Sequence, residues 1–309
     1  HQHTRKMLAA PATQPAHKLG GRFAVLEVEE PAPPRVAFAV PRPADGTHEL
    51  ASNNMEKQQK QPTPTPPTPP TPPAAVPFGI AKLSAALAHL DEPRCVAVVT
   101  LRGSLCPITN AHVQTLIQAR RLLLGKKTTA TRPEHLEQFG AVVGAISLNS
   151  DRHVGAKLHE KGDPSLSLVQ RRRLVKQAIK PYAWLGCETG EGALIPQLKR
   201  RFPQHEFVHF SVNGADDVLR FAKYLHARED KRIISMGRPG LSCAVELKAR
   251  QSGVDLDEGH FVIGPELKDI SSSKVRLALQ TGDHEAAKEM LPPEVYKWCV
   301  NHGPWQCVA

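Results

Sequence analysis

The stretch Gly103-Ser104-Leu105-Cys106-Pro107-Ile108-Thr109-Asn110-Ala111-His112 joins an apolar run, Cys95–Leu101, to a segment with helical periodicity, Asn110–Leu124. This order predicts a buried strand, a tight loop and a helix. Gly103 and Ser104 let the backbone approach a ligand closely, and Thr109 or Asn110 is suited to cap the helix. The free N–H groups and positive dipole end of a helix N-terminus favour phosphate. The stretch therefore indicates a phosphate-bearing ligand beside His112.

Alternating strand and helix patterns continue from this stretch towards the C-terminus. The strand-like runs are 95–101, 141–148, 206–212, 232–236 and 260–263. Helical patterns cover 166–179, 215–225 and 244–251, then 272–281, 284–290 and 293–301. This alternation predicts an α/β fold: a Rossmann-like, doubly wound parallel sheet of about five strands, with helices on both faces and a C-terminal helical segment. Ligands of such sheets bind beyond the carboxyl ends of the strands.

The N-terminal part of the chain has a different composition. Residues 61–77 read QPTPTPPTPPTPPAAVP, and each proline fixes its own φ and removes a backbone donor. Only Phe23–Val28 and Val36–Val40 are strand-like before it, and 80–91 has helical spacing. We expect residues 1–93 to be a low-complexity, Pro-rich and largely disordered extension, and 94–309 to be one catalytic domain.

The charge and the cysteine spacing of the chain indicate which ligands and which cellular compartment to expect. Residues 94–309 hold 31 Lys and Arg against 22 Asp and Glu, which suits nucleic acid or a phosphate-rich small molecule. The six cysteines form no C-x-x-C pair, so we expect reduced thiols in an intracellular, cytoplasmic protein, with a nuclear location left open. No run of about eighteen apolar residues occurs, so no membrane partner is expected.

Three further stretches follow strands of the predicted sheet. Ile270-Ser271-Ser272-Ser273-Lys274-Val275-Arg276 precedes a helix, where hydroxyl and N–H groups can hold phosphate oxygens. Asn213-Gly214-Ala215-Asp216 and Met236-Gly237-Arg238-Pro239-Gly240 follow the third and fourth predicted strands. Taken singly, each is also typical of an ordinary cap or turn.

Together these stretches resemble the nucleotidylyltransferase superfamily. GSLCPITNAH resembles its first signature, G-x-F-x-P followed by [HT]-x-x-H, and ISSSKVR resembles its second, I-S-S-T-x-x-R. The P-I-T-N-x-H form is similar to the nicotinamide/nicotinate mononucleotide adenylyltransferases, of eukaryotic type. The resemblance covers about Cys95 to Gly303. It implies transfer of the adenylyl group of ATP to nicotinamide mononucleotide, and nicotinate mononucleotide is left open as a second acceptor.

The resemblance also implies a set of site residues. The catalytic residues would be His112 and Arg276. The residues that bind ATP would be Gly103, Ser104, Leu105, Thr109, His112, Gly214, Asp216, Ser272, Ser273 and Arg276. The residues that bind the mononucleotide would be Ser104, Leu105, Lys157, Lys161, Arg238 and Tyr224. No protein metal site is expected, because Mg²⁺ would be carried by the ATP phosphates and water.

The chain departs from the family pattern at several positions. Leu105 and Cys106 stand where Phe and Asn are usual, and Glu160 replaces one Lys of a phosphate-contacting loop. Gly190 holds the place of a Trp that stacks on nicotinamide, so Tyr224 is the candidate aromatic surface. Arg152 and His153 are rivals to Lys157 and Lys161, and one of the arginines 171–173 is a candidate to face the site.

Two other functions compete with this one. The protein could adenylylate another phosphate acceptor, such as phosphopantetheine, but the P-I-T-N-x-H form argues against it. It could instead be a non-catalytic module that binds nucleotide or RNA, but intact His112 and Arg276 argue against that, so nucleic acid is not the expected partner. A homo-oligomer is left open.

Overall fold

A parallel sheet of six strands organises the fold. The computed structural model describes residues 78–188 and 194–306, all of which belong to the second of the two units into which the chain divides, Pro70–Ala309. The strands are β1 (Cys95–Gly103), β2 (Ala141–Leu148), β3 (Leu185–Glu188), β4 (Glu206–Gly214), β5 (Arg232–Gly237) and β6 (Phe261–Glu266). They lie in the order β3-β2-β1-β4-β5-β6, and every pairing is parallel.

Helices follow most of the strands. They are α1 (Phe78–Leu87), α2 (Asn110–Leu123), α3 (Asp151–His159), α4 (Leu168–Ala178), α5 (Leu194–Arg201), α6 (Ala215–Arg220), α7 (Ser242–Gln251), α8 (Ser272–Gln280), α9 (His284–Met290) and α10 (Pro293–His302). A 3₁₀ turn, Lys223–His226, follows α6. None of the described helices is long and apolar enough to cross a membrane.

The strand order determines where a crevice forms at the edge of the sheet. Chain order reverses between the neighbouring strands β1 and β4, and a reversal of this kind leaves a crevice at the carboxyl ends of the two strands. Those ends are Gly103 and Gly214, which open the loop before α2 and the start of α6. The sequence thus brings the stretch at 103–112 and the one at 213–216 to the same crevice.

Both faces of the sheet are covered by apolar residues. On β1, Val99 and Leu101 belong to the larger core cluster, whereas Val96 and Val98 belong to a second cluster on the opposite face. The period-2 alternation of a strand explains this division. Ile80, Leu83 and Leu87 of α1 pack into the second cluster, although α1 lies before the expected domain start at Arg94.

The α/β prediction is confirmed, and the strand count needs a correction. The sheet has six strands rather than about five, because β3 spans only four residues, Leu185–Glu188, too short for a periodic signal. The segment after β2, expected as a loop, is helix α3. Of the described cysteines, Cys95, Cys106, Cys243 and Cys299 are free thiols. The predictions for residues 1–77 and the one for Gly190 lie outside the described residues.

Candidate active site

The loop between β1 and α2 has a constrained backbone. Leu105 has a φ of 45°, in the left-handed region that costs a non-glycine residue on the order of 1 kcal/mol or more. Its side chain is buried in the larger core cluster. A left-handed residue of this kind persists when surrounding groups over-determine the backbone, so the neighbours of the loop matter.

Side chains from distant parts of the chain hold the carbonyl groups of this loop. Arg171 Nη1 donates to the Ser104 oxygen at 3.0 Å, Arg276 Nη1 to the Cys106 oxygen at 3.0 Å, and Ser272 Oγ to the Pro107 oxygen at 2.8 Å. Both guanidinium groups are buried. The N–H groups of Ser104 and Leu105 have no acceptor within the described part of the chain. Three carbonyl groups of the loop are therefore occupied, whereas the N–H groups of Ser104 and Leu105 are available to a ligand.

His112 is held in one tautomer by the residue that caps its own helix. The N–H of Thr109 donates to His112 Nδ1 at 3.0 Å, and Thr109 Oγ1 lies 2.8 Å from the same nitrogen. Since Nδ1 accepts, the neutral ring carries its proton on Nε2. Burial, and then the positive charge of Arg238, lower the pKa of His112 to about 4. At neutral pH, His112 is therefore an uncharged Nε2–H donor.

Arg238 brings the ends of three strands together. Its Nε lies 3.6 Å from Asp216 Oδ1, after β4, and its Nη1 lies 3.6 Å from Asp269 Oδ1, after β6. A hydrogen bond from Lys274 lowers the pKa of Asp269, and the charge of Arg238 acts in the same direction. All these side chains are partly exposed, so a phosphate could compete with the carboxylates for Arg238.

Gly214 lies close to the carboxylate of Asp216. A Cβ at position 214 would come within 2.7 Å of Asp216 Oδ1. A glycine at this position lets the carboxylate fold back over the start of α6, beside Arg238.

Arg276 occupies a different environment from the other candidates. It is 3% exposed, and its Nη2 donates to Asp163 Oδ2 at 2.8 Å and to Ser273 Oγ at 3.1 Å. The hydrogen bond from Arg276 lowers the pKa of Asp163. The two terminal nitrogens of Arg276 are thus bonded to protein groups, and its contact with phosphate stays a prediction.

The structure brings some of the predicted residues together and keeps others apart. Those that reach the crevice are Gly103, Ser104, His112, Gly214, Asp216 and Arg238. Thr109 is buried and serves His112. Lys157 and Lys161 are exposed, on α3 and just after it.

Tyr224 does not offer the aromatic surface expected of it. It is 7% exposed, and its ring packs edge-on against Phe261 at 6.2 Å. Burial of the ring in the core that covers β5 and β6 leaves no open face for a nicotinamide.

Sequence reasoning left Arg171 unresolved among three neighbouring arginines. Arg171 shares the buried face of α4 with Leu174, Val175 and Ala178, at the spacing of one helical face. The position of Arg171 among the apolar residues of one helical face could therefore have distinguished it from the other two arginines. Its neighbour Arg173 is exposed.

A cavity of about 410 Å³ adjoins the first turn of α2. Its lining comprises Asn110, Ala111, Gln114, Glu266, Leu267, Lys268, Ile270 and Glu289. A larger cavity, of about 550 Å³, lies along β6 and α7. The smaller cavity is the one that touches the helix N-terminus.

The described residues contain no group of three or more His, Cys, Asp or Glu side chains that could hold a metal ion. The carboxylates beside the crevice, Asp216 and Asp269, both face Arg238.

No family model matches the chain, and no curated protein matches it. Among solved structures, it is similar to the Plasmodium falciparum nicotinic acid mononucleotide adenylyltransferase complexed with APC, at 14% identity and a TM-score of 0.45. The match covers 68% of this chain and 96% of that one.

Proposed function

We propose that this protein transfers the adenylyl group of ATP to nicotinamide mononucleotide, with nicotinate mononucleotide as a second acceptor, giving the dinucleotide and pyrophosphate. The observation that carries the proposal is the neutral His112, fixed by Thr109 in the first turn of α2. It lies beside a loop with free N–H groups and near Arg238. Such a cluster of donors suits a triphosphate.

The reaction is a direct displacement at phosphorus. An oxygen of the mononucleotide phosphate forms a bond to the α-phosphorus of ATP, and the bond from that phosphorus to the bridging oxygen of pyrophosphate breaks. The electron pair leaves with pyrophosphate. No covalent enzyme intermediate is needed, so catalysis consists of positioning and charge stabilisation.

In the proposal each group has a separate task. His112 donates from Nε2 to an α-phosphate oxygen as charge builds there. The N–H groups of Ser104 and Leu105 and the start of α2 hold the phosphates, and Arg238 neutralises them. Ser273 and the N–H groups at the start of α8 hold the β- and γ-phosphates, and Ser272 and Arg276 support them by fixing the loop through the Pro107 and Cys106 carbonyls. Mg²⁺ bound to the phosphates would offset part of their charge.

The acceptor is the part of the proposal that most needs testing. Purified protein is incubated with ATP, Mg²⁺ and one of three acceptors: nicotinamide mononucleotide, nicotinate mononucleotide or phosphopantetheine. Formation of NAD and pyrophosphate in equal amounts supports the proposal. Dephospho-coenzyme A as the only product would reassign the acceptor, and RNA binding without any transfer product would favour a binding module.

A further inference from the structure

Arg171 bonds to three different parts of the chain at once. Its Nε donates to the Leu166 oxygen at 3.1 Å, its Nη1 to the Ser104 oxygen at 3.0 Å, and its Nη2 to Asp151 Oδ1 at 2.8 Å. The side chain is fully buried, whereas that of Asp151 is 57% exposed. The planar guanidinium is the side-chain group that can direct donors along three such lines.

These contacts join the two halves of the proposed site. Ser104 belongs to the loop after β1, and Asp151 opens α3 after the neighbouring strand β2. Gly103 at the end of β1 is in register with Leu148 at the end of β2. Arg171 thus connects the loop proposed for ATP with the helix that carries Lys157, proposed for the mononucleotide.

The contact with Ser104 bears directly on the donors of the loop. With its oxygen bonded to a buried guanidinium, the Ser104 carbonyl is held against the protein. The next residue, Leu105, is left-handed, and its N–H belongs to the peptide unit that contains that same carbonyl. Release of the carbonyl would therefore let the peptide plane turn and move the Leu105 donor.

We infer that Arg171 is a positioning residue for the proposed transfer: it fixes the peptide donors of the loop and couples them to α3 through Asp151. This inference rests on the proposed function. The competing role is a plain core anchor, in which Arg171 contributes only to stability. The two roles differ in kinetics, because loss of folded enzyme lowers the apparent kcat but leaves KM unchanged.

The test compares Arg171→Lys with Arg173→Lys, which makes the same exchange at the exposed position two residues along α4. We expect Arg171→Lys to raise KM for ATP about tenfold, the factor for a lost charge-assisted hydrogen bond, and to raise KM for the mononucleotide in the same direction. Arg173→Lys should match the wild type. Unchanged KM values in Arg171→Lys, with fewer folded molecules, would overturn the inference.

Asp151→Asn keeps the test decisive if Arg171→Lys fails to fold. This substitution alters an exposed carboxylate and weakens only one of the three bonds, so we expect about a threefold rise in both KM values. KM values equal to those of the wild type would again count against positioning.

Titration calorimetry with ATP separates this inference from the proposed function. A wild type that binds ATP but makes no dinucleotide overturns the proposed function, and the Kd values of Arg171→Lys and Arg173→Lys then decide the positioning role. A wild type that does not bind ATP overturns both.

Discussion

The hydroxyl of Ser272 donates to the carbonyl oxygen of Pro107 at 2.8 Å, across 165 positions of sequence. This bond ties the start of α8 to the loop before α2. Arg276, one turn further along α8, bonds the preceding carbonyl, that of Cys106. The two sequence stretches that define the site are thus physically linked as well as adjacent.

Ser272→Ala should separate this link from ordinary helix capping. Removal of one hydrogen bond costs about 1 kcal/mol of unfolding free energy, and we expect KM for ATP to rise several-fold as the loop loosens. Ser271→Ala is the matched control, because Ser271 Oγ accepts from the Lys274 N–H as the N-cap. It should cost a similar stability, measured by urea unfolding, without the change in KM. Equal KM values in the two variants would refute the link.

His112→Ala should keep the fold and remove the donor to the reacting phosphate. Loss of one donor of this kind costs on the order of 3 kcal/mol, or about a hundredfold in kcat. The measurement is steady-state turnover with the folded fraction checked by circular dichroism. His89→Ala, at an exposed histidine just after α1, is the control and should retain wild-type turnover. A near-normal rate in folded His112→Ala would remove His112 from the mechanism.

The lowered pKa of His112 predicts how stability depends on pH. The unfolded chain takes up this proton near pH 6.5, but the folded protein does so only near its pKa of about 4. Acidification through that window therefore favours the unfolded state, by at most about 2 kcal/mol between pH 7 and pH 5. Burial lowers the pKa of His209 too, which adds a contribution of the same sign.

Urea unfolding at pH 7 and pH 5 checks this prediction. His112→Ala should lose less stability on acidification than the wild type does, since the His112 contribution is absent. Identical losses in the two proteins would mean that the His112 pKa is not lowered in the folded state.

Asp163→Ala should be strongly destabilising. It would leave the guanidinium of Arg276, 3% exposed, without its carboxylate, and loss of one partner of a buried pair costs about 3 to 5 kcal/mol. Glu289→Ala is the comparison, because its pair with Lys268 is mostly exposed and such pairs contribute about 0 to 1 kcal/mol. Thermal unfolding of both variants compares the two losses of stability. Similar shifts in Tm would show that the buried Asp163–Arg276 pair stabilises the fold no more than the exposed pair does.

Much of the sheet was predictable, because five of its strands are apolar runs flanked by helical patterns. β2 was predicted with its observed bounds, Ala141–Leu148. The strand Leu185–Glu188 was missed because four residues carry no period, and α3 because its run DRHVGAKLH is polar and contains Gly155. The position of His112 followed from a local pattern of strand, loop and helix.

The partners of the site residues were not predictable in the same way. Which groups face Arg276 depends on the placement of the connection between α3 and α4, which contains Asp163. The burial of Tyr224 depends on its packing against Phe261. Both are products of long-range packing that no local spacing encodes.

The three hydrogen bonds that hold the loop depend on its main chain and not on its side chains. Arg171, Arg276 and Ser272 each hold a main-chain oxygen, and a main-chain oxygen is the same whichever amino acid supplies it. A change of the side chain at Cys106 therefore leaves the acceptor of Arg276 in place. The path of the loop backbone is thus held by side chains that lie 67, 170 and 165 positions away in the sequence.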